Sequence, residues 1–141
     1  MKALVAIDGS ENSLRALRYV LAHGDFFSTE PELVLVTVHL PLPSHRAKAV
    51  LGKDVVEQYY RDESEEVLAG ARVLLVGKPC RITELPMIGQ PAAQIIAAAR
   101  QHHCDLIVMG TQSRSALGNL LVGSVAMRVI AESPIPVLSV K

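Results

Sequence analysis

Two short stretches of this chain bring together residue types suited to holding a phosphorylated ligand. In the first, Gly110-Thr-Gln-Ser113-Arg114 directly follows the apolar run Leu106-Ile-Val-Met109, and Gly123-Ser124 then leads into another helix-like segment. Backbone N–H groups around Gly110, Ser113, Gly123 and Ser124 are candidates for a phosphate cradle, because a loop leaving a strand and entering a helix offers unpaired donors and the positive end of a helix dipole. Glycine lacks a Cβ to block close approach and reaches positive φ readily. The same spacing also serves a plain tight connection. In the second stretch, Asp8-Gly9-Ser10 interrupts the apolar run Ala3-Leu-Val-Ala-Ile7. Asp8 is placed to take ribose hydroxyls or, through water, a metal beside phosphates; the alternative is an ordinary turn residue.

Better-defined chemistries are missing from the sequence. There is no G-x4-G-K-[ST] loop, and Asp8-Gly9-Ser10 lacks the G-x-G-x-x-G of a dinucleotide fingerprint. Ser10 does not sit in a G-x-S-x-G elbow, and no His and acid complete a nucleophile triad around it. His102-His103-Cys104 reads as imidazoles complementing a helix C-terminus, since adjacent helical side chains diverge by about 100° and favour no single ion. Tyr59-Tyr60 reads as helix packing rather than a base-stacking platform.

The elements that must carry the two stretches alternate. Ala3–Ile7 is a strand apolar on both faces, followed by a helix that Ser10 caps, Glu11 complements, and Leu14, Leu17 and Leu21 stripe before Gly24. Leu33–Leu40 is a second strand rich in β-branched residues. The connection from Pro41 to Lys53 carries His45, Arg46, Lys48 and Lys53, and reads equally as a solvated excursion or a basic flap over a ligand. A helix from Asp54 to about Val76 packs through Val56, Tyr60, Val67, Ala71 and Leu74, with Arg61–Glu66 on or near its solvent side, and stops at Gly77 and Pro79. Cys80–Ile88 alternates and contains Pro86, which marks a sheet edge. Pro91 opens a helix, Ala92 to about His102, packing through Ile95, Ile96 and Ala99. Asp105–Met109 is the next strand, Ser124–Ala131 the last helix and Pro136–Val140 the last strand. Strands alternating with helices predict an α/β domain: one doubly wound, five-stranded parallel sheet with right-handed crossovers and helices on both faces. If the first and fourth strands meet at its switch point, the loops after Ile7 and Met109 open into one crevice.

The 141 residues suit a single domain, 1–141, with no internal repeat or linker. Half are hydrophobic and 20% charged, which excludes a disordered chain, while 4% aromatic content leaves the core to Val, Leu, Ile and Ala. Lys+Arg and Asp+Glu are equal at 14 each, so no global field would gather nucleic acid or an acidic membrane. The apolar run after Met1-Lys2 is too short for a secretory signal, no stretch is long enough to span a bilayer, and Cys80 and Cys104 have no C-x-x-C partner; the expectation is a cytoplasmic protein with free thiols.

With Val-Ala-Ile-Asp8-Gly-Ser-Glu near the start, Ile-Val-Met-Gly110-Thr-Gln-Ser-Arg, Gly123-Ser124-Val125-Ala126, and Pro134-Ile-Pro136-Val-Leu-Ser-Val140 at the end, the chain resembles the universal stress protein family over its whole length. The most specific motif is that family's nucleotide loop, G-x2-G-x9-G-[ST], met here as Gly110-x2-Ser113-x9-Gly123-Ser124. The resemblance implies strand order 3-2-1-4-5, which also separates the cysteines. It implies adenine and ribose near Ala6, Ile7, Asp8 and Val38, and phosphates at Gly110, Ser113, Gly123, Ser124 and Val125 with Met109 beside them. Arg114 is added as a side chain able to reach a terminal phosphate. One position departs from the motif: the middle glycine is Ser113. A positive φ there would cost on the order of 1 kcal/mol, about a fivefold loss in affinity, so a weakened ATP site is expected rather than an abolished one.

The resemblance further implies a homodimer that pairs its last strands antiparallel, and Val137, Leu138 and Val140 make that edge apolar. The expectation is therefore a homodimeric stress-response protein that binds ATP with Mg2+ as a conformational ligand read by an unidentified protein partner. The alternatives are a nucleotide-free dimeric interaction module, or an enzyme of slow ATP hydrolysis or phosphoryl transfer, for which a general base and a lysine clamp are wanting.

Overall fold

The computed structural model describes residues 1–24, 30–42, 49–111 and 123–141. Ser113 and Arg114 lie outside the described residues, as do His45, Arg46 and Lys48. The chain order is β1 (Lys2–Ala6), α1 (Glu11–Ala22), β2 (Glu32–His39), α2 (Lys53–Leu75), β3 (Arg81–Ile88), α3 (Pro91–Gln101), β4 (Leu106–Gly110), α4 (Ser124–Glu132) and β5 (Val137–Val140). The five strands form one sheet in order β3-β2-β1-β4-β5, with every pairing parallel. Fold class and strand order agree with the sequence reading.

The continuous apolar runs become central strands because both their faces are covered. On one face Ala3, Val5, Leu33, Leu35 and Val108 pack with α1 and α2 residues such as Leu17, Leu68 and Ala71. On the other, Leu4, Val34, Val36, Ile107 and Met109 pack with Ile95, Ala98, Ala99 and Val129 from α3 and α4. The alternating third strand is an edge, as Pro86 suggested. Arg81 N–H donates to Pro31 and Gly89 N–H to His39, so odd-numbered residues of β3 bond to β2, and Pro86 lacks its N–H on the open side. The cysteines pack on opposite faces of the sheet and are both free thiols, whose pKa values burial pushes up.

Several details depart from the sequence reading. The predicted stripe Leu14, Leu17, Leu21 is only partly right: the buried face of α1 is Ser13, Ala16, Leu17 and Val20, with Leu14 and Leu21 half-buried beside it. Small residues at 13 and 16 bring this helix close to the sheet. Ser64, within the stretch assigned to the solvent side of α2, is buried. Tyr60 is buried and its hydroxyl accepts the Leu42 N–H at 2.7 Å, whereas Tyr59 is exposed. His102 and His103 form a cap rather than a helical pair. His102 is the C-cap, His103 takes φ 53°, and Cys104 N–H donates to Ala99 and His103 N–H to Arg100, a two-bond closure that usually has glycine at the left-handed position.

Candidate functional site

The carboxyl ends of β1, β2 and β4 and the N-termini of α1, α3 and α4 surround a crevice open to solvent, concave and mostly apolar as small-molecule sites are. It lies where a parallel doubly wound sheet is expected to bind ligands, between the loops after the first and fourth strands. Its walls combine three origins. Ala6, Ile7, Val36, Val38 and Met109 come from strand ends. Ser10, Ser13, Pro91 and Ile95 come from the N-terminal halves of helices or their caps. Gly110, Gly123, Val125 and Ala126 bracket the segment between β4 and α4.

Of the residues singled out in the sequence, Ala6, Ile7, Asp8, Val38, Met109, Gly110, Gly123 and Val125 all line this one crevice. Ser124 is exposed at the first position of α4 and does not line it. Ser13, Val36, Pro91, Ile95 and Ala126 are additional lining residues. The N-terminal Pro91 could have signalled its own position, because a proline opening a helix after the third strand puts that helix end at the same side of the sheet.

Asp8 proves to be both a turn residue and a crevice residue. Its Oδ1 accepts the Ser10 N–H at 2.8 Å, closing a turn across Gly9, whose φ of 78° only glycine adopts at no steric cost. Ser10 caps α1 as predicted, its hydroxyl accepting the Ser13 N–H at 3.2 Å.

Positive φ accounts for neither motif glycine. A Cβ on Gly110 would stand 2.6 Å from the backbone carbon and oxygen of Asn12, so Gly110 admits the N-terminal turn of α1 against β4. Gly123 has φ −56° and ψ 148°, open to any residue. Its N–H donates to the Thr111 carbonyl at 2.6 Å and is therefore not an unpaired donor, contrary to the expectation that it faces phosphate. Thr111, buried, donates its N–H to Val140 at 3.0 Å and its hydroxyl to the same carbonyl at 3.3 Å. Thr111 and Gly123 are thus fastened to each other, and Thr111 to β5.

Electrostatically the crevice is sparse. Asp8 is the one ionisable side chain among its described lining residues, and no group of three or more His, Cys, Asp or Glu suited to a metal occurs among the described residues. The N-termini of α3 and α4 have no side-chain cap. The first intrahelical bond of α4 is Met127 N–H to Gly123, which leaves the N–H groups of Ser124, Val125 and Ala126 without intrahelical partners, in the arrangement that suits an anion.

Comparison with known proteins agrees with this architecture. The family model described as "Universal stress protein family" matches residues 1–141. The chain is 36% identical over 141 residues to a universal stress protein in the QAH/OAS sulfhydrylase 3' region of Thermus aquaticus, covering 98% of this chain and 96% of that one. It is similar to the solved structure of the hypothetical protein MJ0577, with a TM-score of 0.81, 26% identity, and coverage of 99% and 94%. A universal stress protein solved in complex with cAMP is similar with a TM-score of 0.59 and 25% identity, covering 99% and 95%.

Proposed function

The chain belongs to the universal stress protein family, and from that premise we propose that it binds an adenine nucleotide in the crevice between β1 and β4. The observation that carries this reading is the uncapped N-terminus of α4, whose Val125 and Ala126 line the same largely apolar crevice as Asp8. Phosphate suits the helix end, a purine suits the walls of Val36, Val38 and Ile95, and ribose hydroxyls suit the Asp8 carboxylate. The cAMP complex of a structural relative supports an adenine ligand. ATP with Mg2+ is the ligand proposed: the magnesium neutralises phosphate charge, and Asp8 would reach it through water. Because Asp8 Oδ1 already accepts from Ser10 and no second ionisable residue accompanies it among the described lining residues, the nucleotide acts as a conformational ligand rather than a rapidly turned-over substrate.

The same reading makes the protein a homodimer through the open edge of β5, with Val137, Leu138 and Val140 as its apolar residues, and places it in the cytoplasm, where the two free thiols persist. No helix among the described residues is long and apolar enough to cross a membrane. Calorimetric titration of nucleotide-free protein with ATP and Mg2+ tests the site, and micromolar binding is expected. Gly123→Val, which the backbone angles tolerate, should abolish the heat while leaving the melting curve intact. No heat up to millimolar ATP in the parent protein, or unchanged affinity in the variant, would overturn the assignment.

A further inference from the structure

We propose that Ser13 is a positioning residue that fixes Asp8 for a hydroxyl-bearing sugar and so sets a preference for ribose over sugars lacking those hydroxyls. The inference rests on the nucleotide reading and extends it to a residue outside the loop motif. Serine is mostly a surface residue, yet Ser13 is only 4% exposed and borders the crevice. A serine hydroxyl has one proton to give and two lone pairs. Here it donates to the Ser10 carbonyl at 2.9 Å and accepts the Asp8 N–H at 3.3 Å.

These bonds complete a closed set. Ser13 N–H donates to Ser10 Oγ at 3.2 Å, and Ser10 N–H to Asp8 Oδ1 at 2.8 Å. In the usual reciprocal cap the third helical residue reaches back to the N–H of the capping residue. That N–H is already held by Asp8, and Ser13 reaches two residues further back to the Asp8 amide instead. Main chain and carboxylate of Asp8 are thereby held by one interlocked turn. Its weak point is Gly9, the residue with the widest conformational freedom, and no side chain on Gly9 restrains it. Without the Ser13 hydroxyl, the Asp8 N–H and the Ser10 carbonyl lose these partners, and the Ser10 N–H to Asp8 Oδ1 bond is left alone to hold the turn about Gly9. The carboxylate is then aimed less tightly, while the apolar walls and the α4 N-terminus are untouched.

Ser13→Ala is the direct test, read by titrating ATP-Mg2+ and 2',3'-dideoxyATP-Mg2+ into variant and parent protein. The parent should prefer ATP by about tenfold. The variant should bind the dideoxy nucleotide within about twofold of the parent and lose the preference. Ser13→Cys, close in size but with a thiol that is a weak donor and acceptor, should do the same and carries the test if the alanine variant does not fold. Hydrogen exchange at the Asp8 amide should quicken relative to that of Leu17 in either variant. Equal weakening of both nucleotides, a preference unchanged in both variants, or a parent protein that binds both equally would overturn the role of Ser13 and leave the nucleotide site standing. A parent protein that binds neither would overturn both.

Discussion

Gly110→Ala separates two reasons for a glycine at the end of β4. If the residue were needed only for phosphate to approach, the variant would fold normally and lose nucleotide. The structure gives another outcome. The new Cβ would meet the Asn12 carbon and oxygen at 2.6 Å, and restoring an ordinary contact of about 3.4 Å requires α1 or β4 to move by roughly 0.8 Å. The obstacle is backbone, so no side-chain rotation relieves it, and both partners are held: β4 between β1 and β5, α1 by Ala16, Leu17 and Val20 in the core. Overpacking of this kind costs about 2–3 kcal/mol, a fall in Tm of roughly 6–12 °C for a domain of this size. Thermal unfolding followed by circular dichroism, with and without ATP-Mg2+, measures it. Nucleotide binding should also weaken, because the displaced turn carries Ser10 and Ser13. A variant that melts within about 2 °C of the parent would refute the packing argument, whatever its affinity.

Arg72 joins α2 to β3 through Glu65 and Glu84, and hydrogen bonding to Arg72 is the first cause that holds the Glu65 carboxyl below its usual 4.5. A carboxylate lowered on folding stabilises above its unfolded pKa and loses that contribution as pH falls through the folded one; the urea midpoint should therefore drop between about pH 5 and pH 3, and drop less in Arg72→Ala. Identical pH dependence in the two proteins would refute this; at neutral pH the variant should lose only on the order of 0.3 M urea, since both groups are largely exposed. Ile107 and Thr111 N–H groups bond to Pro136 and Val140, so Val137 and Ser139 turn their backbone groups to the open edge. Ser139→Pro should weaken the proposed dimer about a hundredfold while leaving β4–β5 intact, and light scattering that still gives the parent's mass at micromolar concentration would remove the β5 interface.

Much of the architecture was legible because its causes are local. Burial of both faces shows in the unbroken apolar run Ala3–Ile7, one wet face in the alternation around Pro86, and a helix start in Ser10. The crevice followed from strand order, since the ends of β1 and β4 can only meet if these strands are neighbours. What escaped depends on distances between elements. The stripe of leucines in α1 marks the apolar side of an isolated helix, but the helix turns Ser13 and Ala16 inward because Gly110 lets it approach. Gly123 likewise reads as a donor from its type and place, and only the fold shows its N–H already held by Thr111. His103 sits where glycine is the rule, and nothing in the adjacent pair of imidazoles announces a left-handed residue.

The short bond from Gly123 to Thr111 has a consequence for how the last helix and the last two strands hold together. Thr111 is stitched to Gly123 on one side and to Val140 on the other. These bonds join β4, α4 and β5 through atoms of Thr111, Gly123 and Val140 alone. The junction is a drawstring of main chain and one hydroxyl: it gathers the ends of β4, α4 and β5 at one knot, Thr111, whose carbonyl, N–H and hydroxyl are all engaged in it.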